Sequence, residues 1–161
     1  FDWEMTGDDA AVMEPACHAL CTLKDEAIFE FGNILAEKLH ALDTRDHCRA
    51  CYAGELDPDD GDDYISADLF LYARCVVVAN GRELYASVLA DPDRMPQGME
   101  FESLLSLPAL AYERKTGREY EHIPRVSYES FQNSTGWAAT AMTRPGKFTG
   151  KDIPPGNRRP T

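Results

Sequence analysis

The apolar positions of the chain fall mostly at helical spacing, separated by short turn-forming stretches. Gly7-Asp8-Asp9 is a start signal, and Ala10 to Leu23 predicts a helix in which Pro15 either bends the run or marks its true first turn. Asp25 can cap a second helix, the clearest amphipathic stretch, whose apolar residues are Ile28, Phe31, Ile34, Leu35, Leu39 and Leu42. Glu26, Glu30 and Glu37 lie largely between them, on its wetter side. Asp46 to Tyr52 predicts another helical turn or two, and Gly54 to Asp63 is a loop by composition. Ser66 and Asp68 suit the start of a helix over Leu69 to Ala79, which is apolar all round apart from Arg74 and therefore reads as central and buried. A buried strand is the rival reading, because Val76 to Val78 are β-branched. Asn80-Gly81 stops this element, Arg82 to Leu89 predicts a further short helix ended by Asp91-Pro92-Asp93, and Glu100 to Thr116 is the last helical region, interrupted by Pro108 and stopped by Gly117.

Beyond Gly117 the periodicity dissolves. Residues 118–137 carry Tyr120, Tyr128, Phe131 and Trp137, which suits an irregular segment anchored by aromatic rings; a binding face is the other reading. Residues 138–161 hold four prolines, three glycines and five basic residues against one Asp, the composition of a flexible tail. The expected fold is mainly α: a single-domain helical bundle of about five to six helices over residues 1–137, with an irregular C-terminal segment and a basic tail over 138–161.

Charge adds a direction to this picture. The 161 residues include 28 acidic and 16 basic side chains, a net −12. Residues 1–80 hold 18 acids against 5 bases (−13), and residues 81–161 hold 10 against 11 (+1), so the acidity belongs to the first half. Such a balance argues against nucleic acid, which needs a clustered basic face. No apolar run approaches the ~18 residues of a membrane-spanning helix. A core of this size can hold without disulfides or metal. Five cysteines, an odd number, favour a reducing compartment, and with no signal-peptide pattern at the start the cytoplasm is expected. Asn133-Ser134-Thr135 matches a glycosylation acceptor, which has no meaning without secretion.

Several groups carry candidate chemistry. Cys17 and Cys21 with His18, then His47-Cys48 and Cys51, have the residue types of a zinc site. A helix from Asp25 to Asp43 would place roughly 27 Å between the two pairs, however. Buried apolar thiols are therefore the expectation, for Cys75 as well. The loop Asp57-Pro58-Asp59-Asp60-Gly61-Asp62-Asp63 carries five carboxylates, but aligning Gly61 as the glycine of a calcium loop puts Leu56 in the first ligand position, and the motif fails. A solvated loop, a looser cation site and a patch that steers a basic partner remain open. No nucleophile elbow, phosphate loop, zinc-protease motif or dinucleotide fingerprint occurs, and His18, His40, His47 and His122 have no partner that sequence can assign. Arg74 needs an explanation, since an unpaired buried guanidinium is costly. A structural ion pair with a carboxylate of another helix is favoured over a ligand-binding role shared with Tyr72.

From Phe1 to Trp137 the sequence resembles the bacterial domain-of-unknown-function family 4240. The resemblance rests on Phe1-Asp2-Trp3-Glu4 with Gly7-Asp8-Asp9, Ile28-Phe29-Glu30-Phe31, Ala41-Leu42-Asp43-Thr44, and Phe70 to Cys75 continuing to Asn80-Gly81-Arg82. It continues in Met99 to Leu105, Ser127-Tyr128-Glu129 and Gly136-Trp137. What it implies is a mostly helical, intracellular bacterial domain, usually with a short helix before the point where this chain begins; it implies no mechanism. The Asp-rich loop and the basic tail lie outside the shared blocks.

Together these readings point to a non-enzymatic, acidic, partner-binding protein without cofactor or metal. Asp57, Asp59, Asp60, Asp62 and Asp63 are the expected contacts for a basic protein, in concrete form a cationic bacterial toxin neutralised by an immunity protein. The alternative is a small-ligand domain or an enzyme with a cleft near Arg74 and Tyr72.

Overall fold

The computed structural model describes residues 1–52 and 65–138, and among these the regular structure is entirely helical. The α-helices are α1 (Asp9–Cys21), α2 (Asp25–Ala41), α3 (Arg45–Cys51), α4 (Ala67–Ala79), α5 (Arg82–Ala90), α6 (Leu107–Thr116) and α7 (Ser134–Trp137). Three short 3-10 turns join them, at Trp3–Met5, Pro92–Arg94 and Glu102–Ser106. The Asp-rich loop and nearly all of the basic tail lie outside the described residues.

The helix starts follow local chemistry. Asp8, Thr44 and Ser66 each accept a backbone N–H of the first turn, as short oxygen-bearing side chains do at an N-cap. Asp25 does not cap α2. Lys24 holds that position without a side-chain bond, and Asp25 is the first helical residue, bound to Lys115 and Arg118. Pro15 lies well inside α1 rather than in its first turn. Pro108 sits in the first turn of α6, where a missing N–H is harmless, so the interruption falls just before it. Gly117 ends α6 with φ 68°, the left-handed conformation a C-terminal stop needs.

The central helix reading holds, and the strand rival is overturned: α4 is helical throughout and divides the interior in two. One of its faces, with Leu71, Cys75, Val76 and Ala79, packs into a core shared with α1, α2, α6 and Leu104. The opposite face, with Phe70, Ala73 and Val77, packs against Leu42, Cys48, Cys51 and Val88. A helix apolar on all sides is what two cores flanking one element require. α1 runs along α6, and α2 contacts both α4 and α6.

Residues 118–137 form a strap that lies along α2 and ends in α7, a helical turn that the sequence pattern did not signal. Aromatic rings do anchor it. Tyr120 packs on Phe29 and Tyr112, and Phe131 and Trp137 meet at 4.8 Å over Phe70.

Candidate functional site

Two places gather polar chemistry around α2. The first begins at Asp43, two residues beyond its end and fully buried. A carboxylate without solvent needs donors, and the strap supplies four. The backbone N–H groups of Phe131, Gln132 and Asn133 donate at 2.9, 2.7 and 2.8 Å, and the Trp137 indole at 2.9 Å. Phe131 takes φ 69°, rare for a residue with a side chain, and this left-handed step turns successive N–H groups to one side as an anion nest does. Gly136 passes so close that a Cβ there would lie 2.7 Å from the Asp43 carbonyl oxygen and 2.8 Å from a Thr44 methyl.

Arg74 answers this charge from α4. It is fully buried, yet no carboxylate among the described residues pairs with it directly, which corrects the expected ion pair. Its two terminal nitrogens donate to the Leu39 carbonyl and to the Ser130 hydroxyl, each at 2.8 Å, and its guanidinium lies 4.5 Å over the Phe70 ring. The Ser130 hydroxyl in turn donates to the Ala67 carbonyl at 2.6 Å. The guanidinium thus ties α4, the end of α2 and the strap together. Burial pulls its pKa down, and the Asp43 carboxylate opposes that shift through space. Tyr72 does not join it. Side chains two residues apart on a helix point away from each other; the Tyr72 phenol is held above its ordinary pKa by the neighbouring Glu102 carboxylate.

Farther along the strap the pattern repeats. Buried Asn33 accepts from His122 at 3.0 Å and from the Arg125 backbone at 3.2 Å, while the Arg125 side chain grips Glu30 and Glu37. Arg114 pairs with Glu14, and Lys115 and Arg118 with Asp25. Four cations of the second half therefore sit on four carboxylates of the acidic first half. That internal match is invisible when charge is counted along the chain.

The other reactive residue types are also occupied by the fold. His47 is buried and donates from Nε2 to the Val88 carbonyl at 3.0 Å, which leaves Nδ1 to accept the Thr44 hydroxyl at 2.7 Å. Burial holds it below its ordinary pKa and so neutral. Cys48 and Cys75 are pushed up to about 12 and Cys51 to about 11 by the same desolvation, the opposite of a reactive or metal-binding thiolate. All five cysteines are free, Cys17 packs in one core and Cys48 and Cys51 in the other. No three-ligand cluster suited to a metal ion occurs among the described residues.

The second place is a partly open pocket of about 380 Å³ on another side of α2. Its walls are Phe1, Phe31, Ile34, Leu35, Val78 and Leu104; its charge comes from Lys38 and Arg82. Ile34, expected in the core from its spacing, is 42% exposed here. Neither Arg74 nor Tyr72 lines this cleft. Nothing in the sequence marked it, because its residues come from four separate segments.

These features define an all-helical domain whose buried polar groups hold its own C-terminal strap. The chain belongs to the family described as a protein of unknown function, DUF4240, whose model matches residues 1–114. That match takes in α1 to α5 and most of α6, including Asp43 and Arg74, and stops before the strap. Neither the curated proteins nor the solved structures contain a match to the chain.

Proposed function

We propose that the protein is a non-enzymatic partner-binding protein of the bacterial cytoplasm, whose acidic first half meets a basic protein surface. In its concrete form it is an immunity protein that occludes a cationic toxin. The observation that carries the reading is the net −12, concentrated in residues 1–80. The five internal ion pairs, made by four cations and four carboxylates, sharpen where that charge points. With Glu14, Asp25, Glu30 and Glu37 matched and Asp43 buried, the acidity left for a partner falls on Asp2, Glu4, Asp8, Asp9, Glu26, Asp46 and Asp68 and on the stretch with Glu55, Asp57, Asp59, Asp60, Asp62 and Asp63. Support also comes from the deployment of Arg74, His47 and the cysteines, whose hydrogen bonds and burial already have structural uses. No helix among the described residues is long and apolar enough to cross a membrane.

The test is binding of the full chain to the cationic product of the adjacent gene at low and high salt. Attraction between exposed charges weakens as salt shortens the screening length. The expected result is a fall in association rate with salt, and a comparable fall when the five loop aspartates are changed to Asn. An affinity indifferent to both, or no binding, overturns the reading.

A further inference from the structure

We propose that the α2/α4/α5 pocket binds a small apolar molecule bearing a single carboxylate. This site stands apart from the partner reading and uses none of its residues. Its volume, about 380 Å³, lies within the range of small-molecule sites, and its walls are predominantly apolar. Such a cavity takes hydrocarbon out of water, as Phe31, Leu35, Val78 and Leu104 would surround it on several sides. Ile34, at 42% exposure, is a large apolar residue that a ligand would cover.

The charge of the lining selects the head group. In a chain with 28 acids and 16 bases, the pocket is lined by two bases and no acid. Neither Lys38 nor Arg82 pairs with a carboxylate among the described residues, and the Lys38 ammonium is held 4.2 Å over the Tyr85 ring. Gly81, also in the lining, begins α5 with no side-chain cap, so the first-turn N–H groups beside Arg82 add partial positive charge there. A neutral apolar ligand would use the walls and leave the cations idle. A cationic one would be repelled. A carboxylate satisfies both.

The experiment titrates the full chain with decanoate, decanol and decyltrimethylammonium, following calorimetry and the backbone amide signals of Ile34, Val78 and Gly81. Decanoate is expected to move those three signals and to bind about tenfold more tightly than decanol, because hydrogen bonds to an ionised group are the stronger kind. The double variant Lys38→Met with Arg82→Gln should lose that tenfold and leave decanol binding unchanged. Ile34→Glu, at a half-exposed wall position that tolerates a polar residue, should abolish decanoate binding and serves as a second variant. The proposal is overturned if decanol or the ammonium compound binds as well as decanoate, or if the double variant binds decanoate unchanged. It also fails if the three signals stay still because another segment or a second copy covers the pocket.

Discussion

Along one side of α2, Asn33, His40 and then Asp43 each bind a group of the strap, whereas along another side Ile34 and Lys38 face the open pocket. On the strap side most buried polar groups find partners within the chain, Arg74 Nε and the Tyr120 hydroxyl being the exceptions. On the pocket side an isoleucine is left in water, and Lys38 and Arg82 meet no carboxylate among the described residues. One helix thus carries a finished interface and an unfinished one, and polar satisfaction, more than burial, tells them apart. Removing a partner from the finished side should be expensive, because a buried donor or acceptor then stands alone. The same operation on the unfinished side should change little.

The largest break is at Asp43. Asp43→Ala removes the acceptor of four donors and leaves the Arg74 guanidinium without its opposing charge. Each buried donor left unsatisfied costs about 1–3 kcal/mol, so stranding four of them costs at least about 3 kcal/mol. Denaturant unfolding is expected to show a loss of that size, with early proteolytic cleavage in residues 118–137. A loss under about 1 kcal/mol, the worth of a single ordinary hydrogen bond, would mean that the aromatic contacts alone hold the strap. Gly136→Ala tests the same junction by volume. The new Cβ meets a backbone oxygen and a methyl, neither of which yields easily, and overpacking of this kind costs about 1–3 kcal/mol in a melt.

Most of the helical frame was legible because each helix writes its own spacing and its own caps. Ser66 before Leu69, Gly117 after Thr116 and the all-apolar run of α4 are local signals with one physical reading each. One error was also local: Asp25 looked like a cap yet sits one residue inside the helix, where distant Lys115 and Arg118 hold it. Of the two readings open for Pro15, the one inside the helix holds. The polar interior was not legible. Asp43 meets Phe131, Gln132 and Asn133 across about ninety residues of chain, and nothing in either segment specifies the other. Arg74 was conspicuous as a charge in an apolar helix, but its partners are a carbonyl, a hydroxyl and a ring, groups too common for sequence to single out. The charge count failed in a similar way, since counting along the chain hides the cations of residues 114–125 that lie on the acids of residues 14–37.

A smaller effect follows from His47, on the finished side of the comparison though away from the strap. Its folded pKa is depressed by burial below the ordinary 6.5, with Asp46 and the Val88 carbonyl pulling the other way. The unfolded chain therefore takes up a proton that the folded protein resists. Below pH 6.5 the unfolded state holds more protons, so stability is lost as the pH is lowered until the folded pKa is passed, and is unaffected by this group above that window. Unfolding measurements should show a slope of at most about 1.4 kcal/mol per pH unit there. The slope should be reduced in His47→Gln, which keeps a donor for Val88; an unchanged slope would assign it to other groups.

The smallest effect is the one that most sharpens the contrast. Arg82 is exposed, makes no ion pair among the described residues and lies in a pocket whose walls persist without it. Arg82→Gln should shift stability by less than about 0.5 kcal/mol, as surface changes away from a cap, core or network do. Asn33→Ala, a similarly modest truncation on the strap side of α2, strands the His122 and Arg125 donors and should cost about 1–3 kcal/mol. Measured side by side under one denaturant protocol, the two variants weigh the finished interface against the open one. If Arg82→Gln proved as damaging as Asn33→Ala, the pocket cation would already have a partner within the chain, and the two sides of α2 would be alike.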